Sequence, residues 1–367
     1  MKRSALLLLL LIPAAVLAQA RGPAPPPSVT PPRPAQLDPA QIIPDHPPLI
    51  TPETVKAIDA GIKFLARSQA RDGSFQDRNA RMGATYPVAM SALAGMAFLA
   101  HGDTPTRGRY AQSVRRVVKF LTQRKAVRQT GLLAVDPRTT YPMYGHGFAM
   151  MFLGSVLGET GDPLLEKRIQ RILKGAILLS QRCQSKDGGW YYMPNSQTDE
   201  GSVTITQVQG LRACQNAGVA VPFSVIKRAI DYINNCQNSD GGIAYGLSSR
   251  GSSNLAISAA AAAVLYNAGT YDSPQAGRLL SYCRRTVKVT AAGAFGHWFY
   301  THYYMAQVWW QTGGPDWDRY FPQVRDALIK QQKNDGSWDG EVGPTYATAL
   351  ATTILSLPYE RVPLYMR

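Results

Sequence analysis

A short phrase of residues recurs along this chain, and it constrains the fold more than any other feature. A glutamine ends a segment with helical periodicity, two residues follow, and then comes Asp-Gly with glycine or serine and usually an aromatic residue, as in the stretch 184–190. The glycines that mark four clear and two weaker copies are Gly73, Gly131, Gly188, Gly241, Gly293 and Gly336. Neighbouring glycines are 43 to 58 residues apart, which indicates six copies of one structural unit.

Two kinds of apolar segment alternate around the phrase. Before a copy, apolar residues recur every three or four positions, as at Val225, Ala229 and Ile233, which predicts a helix with one buried face. After a copy, a stretch such as 256–265 is apolar almost throughout, which predicts a helix buried on both sides. We therefore predict an all-α fold: an (α/α)6 toroid, a closed barrel of six inner and six outer helices, over residues 51–367.

The phrase itself is interpreted as a structural connection. A glycine after the aspartate can adopt positive φ, so the chain can leave the helix without a Cβ clash. The amide of the preceding glutamine can hydrogen-bond to the backbone of the loop. The aspartates of the phrase, such as Asp187 and Asp335, are therefore predicted to support structure and not catalysis.

The first fifty residues differ from the rest. Lys2 and Arg3 precede a short apolar run, and Ala18-Gln19-Ala20 supplies the small residues of a cleavage site, so residues 1–20 are predicted to be a signal peptide. Residues 21–50 contain eleven prolines and are predicted to be a disordered leader. The protein is thus expected to be exported, to the periplasm or outside the cell, and an uncleaved anchor is left open as the alternative.

The charge and the cysteines add weaker expectations. The formal net charge is +15, which favours an anionic glycan or lipid surface as a partner, whereas export argues against nucleic acid. The four cysteines are Cys183, Cys214, Cys236 and Cys283. Their even number permits disulfides in an oxidising compartment, but each lies in or at the end of a predicted helix. Buried thiols with no metal role are the favoured interpretation.

The repeated unit resembles the QW-type repeat of squalene and oxidosqualene cyclases and of protein prenyltransferase β-subunits. The resemblance, to the prenyltransferase and squalene oxidase repeat of the terpenoid cyclase and protein prenyltransferase superfamily, rests on the glutamine, the Asp-Gly-Gly-Trp sequence of residues 187–190 and the apolar helix that follows. It extends from Thr51 to the end of the chain. It implies the toroid fold and a ligand cavity within the inner ring.

The active residues of these families are only partly present. Type II cyclases carry an Asp-x-Asp-Asp-Thr motif after a Gly-Gly-Trp phrase, and here Ser202 and Val203 stand where the paired aspartates are expected. Asp199 and Glu200 lie nearby in a shifted register and are the candidate catalytic acids, with helix capping as the competing interpretation. Of the prenyltransferase zinc ligands only a histidine, His302, has a counterpart. No metal and no cofactor are therefore predicted.

Aromatic and polar residues cluster in the first turns of the predicted inner helices. In a ring these turns would converge on one mouth, where they would form a mostly apolar pocket with a few polar groups. His302 is a candidate general base because imidazole titrates near neutrality. The predicted cavity residues are Tyr86, Tyr144, His146, Thr204, Gln207, Trp298, Tyr300, Tyr303 and Tyr346.

Three functions are compatible with these features. The leading hypothesis is an exported toroid that binds an apolar or isoprenoid-like ligand, or a protein partner, without cyclase chemistry. The second is a divergent terpene or squalene cyclase-type enzyme (a cyclase or mutase) with a displaced acid. The third is a carbohydrate-active toroid such as a polysaccharide lyase. The sequence alone leaves open whether the chain is an enzyme.

Overall fold

A computed structural model describes residues 46–77, 86–135, 141–194, 197–290 and 296–366. In these ranges the chain forms twelve α-helices and three short 3-10 turns, with isolated β-bridges in place of strands. The all-α prediction is confirmed. The predicted signal peptide, most of the proline-rich leader and residues 293–295 of the fifth phrase lie outside the described residues. No helix in the described ranges has the length and hydropathy needed to cross a bilayer.

The helices form two concentric rings. Numbered in chain order, the even-numbered helices form the inner ring. Each of them contacts the next even-numbered helix, and the twelfth helix contacts the second, so this ring is closed. The inner helices are α2 (Pro87–His101), α4 (Pro142–Val156), α6 (Gly201–Asn216), α8 (Leu255–Asn267), α10 (Trp298–Thr312) and α12 (Pro344–Ser356). The outer helices are α1 (Pro52–Ser68), α3 (Ala111–Thr122), α5 (Pro163–Cys183), α7 (Phe223–Asn235), α9 (Pro274–Thr286) and α11 (Gly314–Gln331). The predicted (α/α)6 toroid is confirmed.

Burial follows the two sequence patterns. The outer helix α7 buries one stripe that includes Val225, Ala229 and Ile233, whereas the inner helix α8 is buried from Ala256 through Leu265. A helix without a polar face is stable only between two apolar neighbours, which here are the outer ring and the interior of the barrel. The periodicity of each segment therefore determines the ring to which it belongs.

The glutamine of the phrase ties each loop to the next outer helix. The amide of Gln184 donates one hydrogen bond to Gly188 O (2.8 Å) and one to Val225 O in α7 (2.9 Å). Gln69 and Gln237 make the same pair of contacts. In the last copy, the amide of Gln332 reaches Ala57 O of α1 at 2.9 Å, so the same device joins the end of the ring to its beginning.

The glycine of the phrase is required by both conformation and space. In five copies it has φ between +90° and +103°. A Cβ added there would lie 2.1 to 2.6 Å from a carbonyl oxygen of the next outer helix. The glycines with these properties are Gly73, Gly131, Gly188, Gly241 and Gly336. The loop can therefore approach the neighbouring helix only where a side chain is absent.

We expect Gly188→Ala to lower the free energy of unfolding by more than the roughly 1–3 kcal/mol that an unfavourable φ costs alone, because its Cβ would meet Arg228 O at 2.2 Å. Gly218 is the matched control, since it also has positive φ (74°) but an added Cβ would meet nothing within 4 Å. Denaturant unfolding of the two variants measures the difference. Equal losses of stability would show that the close approach to α7 contributes nothing.

The last residue of the phrase, usually the aromatic one, is anchored to the following inner helix. The backbone N–H of Trp190 donates to Thr204 Oγ1 at 2.9 Å, and that of Trp338 donates to Thr348 Oγ1 at 3.1 Å. Serine hydroxyls of α2 and α8 accept the equivalent bonds in two other copies. In the second copy the acceptor is an imidazole, because Leu133 N–H donates to His146 Nδ1 at 3.2 Å.

Candidate functional site

A cavity of about 350 Å³ lies at the end of the ring where the inner helices begin. All six inner helices contribute residues near their N-termini, because they run in the same direction and start at the same end. The deeper part is apolar and contains Met90, Leu93, Phe148 and Ile257. Polar atoms come mainly from phenol groups. The tyrosines that line the cavity are Tyr86, Tyr141, Tyr144, Tyr192, Tyr245, Tyr300 and Tyr346.

The tyrosines form a graded wall from the rim to the interior. Tyr346 is buried, whereas Tyr141 and Tyr245 are 41% and 42% exposed at the rim. The rings of Tyr141 and Tyr192 lie 4.3 Å apart between centroids, and Tyr144 continues the row at 5.8 Å from Tyr192. A ligand entering the cavity therefore passes a continuous aromatic surface with hydroxyl groups along it.

A buried carboxylate lies behind this wall. Glu200 is the N-cap of α6 and only 1% exposed, and its oxygens accept the backbone N–H groups of Ser202 and Val203. The Ser202 hydroxyl also donates to Glu200 Oε2 at 2.7 Å. Burial raises the pKa of Glu200, although the hydrogen bonds from Ser202 and Val203 work in the opposite direction. The Ser202 hydroxyl is in turn hydrogen-bonded to Tyr144, which lines the cavity.

An imidazole–carboxylate pair lies on the opposite side of the rim. His297 has a left-handed backbone conformation (φ 61°) at the N-cap of α10, and its Nδ1 lies 2.9 Å from Glu341 Oε1. The hydrogen bond to Glu341 raises the pKa of His297. For Glu341, burial is the largest single effect and works to raise the pKa, but the bond from His297, the charge of His297 and backbone hydrogen bonds together lower it. The imidazole is largely exposed, so the pair can contact a ligand only at the entrance.

The structure brings four of the predicted cavity residues together: Tyr86, Tyr144, Tyr300 and Tyr346. It places five others outside the cavity lining, among contacts between helices and loops: His146, Thr204, Gln207, Trp298 and Tyr303. Each of these five is almost completely buried. Their contacts explain why they occur in the sequence without reference to a ligand.

Three of the five hold inner helices to their surroundings. His146 Nε2 faces Ala176 O and Ser180 Oγ of α5 at 3.2 and 3.1 Å, and burial lowers its pKa to about 4. Gln207 accepts from Ser180 and donates to the carbonyl of α4 residue Met143 at 2.7 Å. Thr204 holds the third phrase through Trp190, as described above. These polar groups therefore belong to the helix packing.

Three of the predicted residues in α10 face other parts of the protein and not the cavity. His302 Nδ1 lies 2.9 Å from the hydroxyl of Tyr320 in α11, and burial lowers the pKa of His302 to about 3. The Tyr303 hydroxyl bonds to that of Tyr365 at 2.6 Å, and Trp298 Nε1 donates to Thr290 O at 2.9 Å. The structure thus places the candidate base His302 outside the cavity lining.

The two candidate acids occupy different positions. Asp199 accepts a hydrogen bond from Ser185 Oγ within the loop of the third phrase and does not line the cavity. Glu200 lies directly behind the cavity wall, but it caps α6. Helix capping, the alternative interpretation of these acids, describes the observed contacts of Glu200.

Several lining residues were not among the predicted site residues: Tyr141, Tyr192, Ser202, Tyr245, Asn254 and His297. Most of them lie in loops or at helix caps, where no periodicity marks a buried face. One signal was available for Tyr245, because it follows the phrase that ends at Gly242. Ser202 occupies a position where the cyclase motif has an aspartate.

The four cysteines are free thiols, three of them buried and Cys183 partly buried. Burial raises the pKa of Cys214 and of Cys283 to about 12, so both remain protonated at neutral pH. Within the described ranges, no group of three or more His, Cys, Asp or Glu residues could hold a metal ion. Polar chemistry at the cavity therefore depends on phenols, hydroxyls and the rim imidazole.

No family model and no curated protein matches the sequence. Solved structures do match the fold. A variant of the type II terpene cyclase MstE from Scytonema, in complex with geranylgeranyl dihydroxybenzoate, has a TM-score of 0.57 and 15% identity over 84% of this chain and 98% of that one. An inactive variant of an α-1,6-mannanase from Salegentibacter, in complex with α-1,6-mannotetrose, has a TM-score of 0.60 and 10% identity over 83% and 97%.

A protein from Actinoplanes is similar to the same degree, with a TM-score of 0.53 and 15% identity over 84% of this chain and 99% of that one. These similarities extend over nearly the whole length of the matched chains. At such low identity they show that this chain shares the α/α-toroid fold with terpene cyclases and with a mannanase. Function has to be argued from the residues of the cavity.

Proposed function

We propose that this protein binds an apolar, isoprenoid-like ligand in the tyrosine-lined cavity without cyclising it. The observation that carries the proposal is the composition of the lining, in which seven tyrosines surround an apolar interior. Among the described lining residues there is no Lys, Arg, Asp or Glu. A diphosphate or another strongly anionic group would therefore find no free cation inside the cavity.

The cavity has the size and character of a small-molecule site. Its volume of about 350 Å³ falls within the range of roughly 300–1,000 Å³ that is common for ligand pockets. Burying an apolar chain against Met90, Leu93 and Phe148 contributes about 25 cal/mol for each Å² removed from water. The terpene cyclase with the same fold is described as binding a geranylgeranyl compound, which supports the same ligand class here.

Cyclisation would require a proton donor directed at the ligand. Glu200 is the nearest buried acid, but each of its oxygens accepts a backbone N–H, and Ser202 lies between the carboxylate and Tyr144. Asp199 lies outside the lining. The hydrogen bonds to Glu200 favour its carboxylate form although burial raises its pKa, and both oxygens are held in the cap of α6, outside the cavity lining. This arrangement favours binding without the chemistry of a cyclase.

A carbohydrate ligand is the second candidate, favoured by the exposed aromatic rim. Tyr141 and Tyr192 form a tilted ring pair at the entrance, and aromatic faces of this kind pack against sugar rings. Hydrolysis of a glycosidic bond commonly uses two carboxyl groups on either side of the bond, and none lines the cavity among the described residues. We infer that a glycan at this rim would be bound and not hydrolysed.

Export and the basic surface complete the proposal. The predicted signal peptide would direct the protein to the periplasm or outside the cell, where an apolar ligand needs a carrier or a receptor. The net charge of +15 would favour contact with an anionic lipid or glycan surface. N-terminal sequencing of the exported protein should then begin close to Arg21, whereas an intact Met1 would indicate an anchored form.

The experiment is extraction of the purified protein with organic solvent and mass spectrometry of the extract, followed by calorimetric titration with farnesol and with mannotetraose. We expect farnesol to bind, and Tyr300→Ala to weaken it roughly ten- to a hundredfold, since removing a buried ring contact costs about 1.5–3 kcal/mol. Tyr271→Ala is the control, because that ring is 49% exposed and outside the cavity. Turnover of a polyene, or binding of the sugar alone, would contradict the proposal.

A further inference from the structure

One polar patch interrupts the apolar wall, and one chain of its hydrogen bonds has a defined direction. It consists of Tyr144, Tyr192, Ser202 and Tyr245, which line the cavity, with the carboxylate of Glu200 behind them. The bonds of Tyr144 and Ser202 lead to this buried carboxylate. The direction of each bond determines what the cavity offers to a ligand.

The first chain of bonds runs through serine. The Glu200 oxygens accept from two backbone N–H groups and from the Ser202 hydroxyl. A serine hydroxyl has a single hydrogen, and here it is directed to Glu200. Tyr144 must therefore donate its own hydrogen to the Ser202 oxygen. The phenol oxygen of Tyr144 is left with lone pairs only on the side of the cavity.

A second hydroxyl pair lies beside this chain. The Tyr192 hydroxyl is hydrogen-bonded to that of Tyr245, and either phenol can be the donor. This pair therefore has no fixed direction. The serine chain alone fixes one phenol oxygen of the patch, that of Tyr144, as an acceptor that cannot donate.

We propose that the polar end of the ligand is a hydrogen-bond donor, a hydroxyl or a protonated amine, which binds to the phenol oxygen of Tyr144. This inference rests on the proposed function and specifies the head group of the ligand. A carboxylate or phosphate end would place acceptor against acceptor, close to the negative charge of Glu200. The patch therefore selects against anionic head groups.

The other charges at the mouth are consistent with this selection. Six helix N-termini point toward the cavity and carry partial positive charge, which would attract an anion. Three carboxylates offset it. Glu200 caps α6, Asp77 accepts the backbone N–H groups of Thr345 and Tyr346 at the start of α12, and Glu341 pairs with His297 at the rim.

The test uses three probes that share one chain and differ only in the head group: farnesol, farnesylamine and farnesoic acid. At neutral pH the amine is protonated and the acid is ionised. We expect the full-length protein to bind the alcohol or the amine at least tenfold more tightly than the acid. The relative affinities of alcohol and amine distinguish the two kinds of donor.

The variant Ser202→Ala tests the mechanism of selection. It releases the hydroxyl hydrogen of Tyr144 toward the cavity, while the backbone N–H groups still bind Glu200 and keep the cap of α6. We expect the ratio of the affinity for the alcohol or amine to the affinity for the acid to fall toward one. Tyr271→Phe removes a phenol hydroxyl outside the cavity and should leave the ratio of affinities as it was. Tyr144→Phe should weaken the binding of the alcohol and leave the binding of the acid unchanged. This second variant tests the same contact if Ser202→Ala proves too unstable to measure.

The outcomes separate the two proposals. If none of the three probes binds, the proposed function is wrong and this inference falls with it. If all three bind with equal affinity, the cavity is an apolar site and only the head-group inference is wrong. The head-group inference would also be overturned by two results together: a folded Ser202→Ala variant that keeps the ratio of probe affinities, and a Tyr144→Phe variant that keeps its affinity for the alcohol.

Discussion

Trp338→Ala is expected to lower the free energy of unfolding by about 3–5 kcal/mol, the range for deleting a fully buried aromatic side chain. Trp338 has no exposed surface, and its Nε1 donates to Leu328 O in α11 at 2.8 Å. Its ring lies against α1, since a Cβ at Gly61 would be 3.0 Å from the indole. The backbone bond from residue 338 to Thr348 persists in the variant, so the measured loss reports the ring itself.

The position of Trp338 makes the effect large. It lies in the last phrase, where Gln332 bonds to Ala57 and Arg67 bonds to Asp335 O at 2.8 Å. These contacts join the two ends of the ring, and an opened ring would expose apolar inner helices at both ends. The loss should therefore appear as a lower midpoint of a single cooperative transition.

Two further variants test this interpretation. Trp338→Phe keeps part of the packing and loses the indole hydrogen bond, so its stability should be intermediate. Trp190→Ala removes the equivalent ring, which donates to Ser180 O at 2.8 Å within the third phrase. If denaturant unfolding gave the same midpoint for Trp338→Ala and the unaltered chain, the phrase would have no part in closing the ring.

The fold could be predicted from the sequence because its determinants are local. A glycine suited to positive φ, a glutamine three positions before the aspartate and an aromatic residue after the glycine are all visible in one short stretch. Gly188 and Gln184 show why: each makes its contacts with its own loop and with the next outer helix, α7. Because the same phrase makes the same contacts in successive copies, its recurrence is enough to indicate the ring.

The cavity was predicted less completely, for a geometric reason. An inner helix is apolar all round, so its sequence does not show which side faces the interior. Tyr144 and His146 are two positions apart, which corresponds to roughly 200° around a helix. When Tyr144 faces the cavity, His146 must face α5, and the same relation separates Tyr300 from His302. Grouping all polar residues of a first turn therefore joined residues from opposite faces.

The loop residues could not be placed for a different reason. Tyr192, Tyr245 and His297 lie between helices, and their positions depend on how neighbouring repeats meet. Glu200 illustrates the same limit: the sequence shows a candidate N-cap, but the hydroxyl that bonds to its partner Ser202 comes from Tyr144 of another repeat. Contacts between repeats are the part of the site that only the structure supplies.

Acidification is expected to destabilise the fold by several kcal/mol through His146 and His302, which are both completely buried. Burial lowers their pKa values to about 4 and about 3, against about 6.5 for an unfolded chain. The unfolded state therefore takes up protons first. Stability is complete above about pH 6.5 and decreases as the pH falls through the folded-state values. The losses approach about 3 and about 5 kcal/mol respectively, at about 1.4 kcal/mol per pH unit.

The hydrogen bonds explain why protonation is unfavourable at His146. Its Nδ1 accepts Leu133 N–H while Nε2 donates toward Ala176 O and Ser180 Oγ, so a second ring hydrogen would oppose the Leu133 donor. Denaturant unfolding at a series of pH values should give a flatter profile for His146→Gln and for His302→Gln. The control is His297→Gln, because that exposed imidazole has its pKa raised by Glu341 and cannot produce a loss of this sign. A profile that kept its full slope in both buried-histidine variants would show that other groups cause the acid sensitivity.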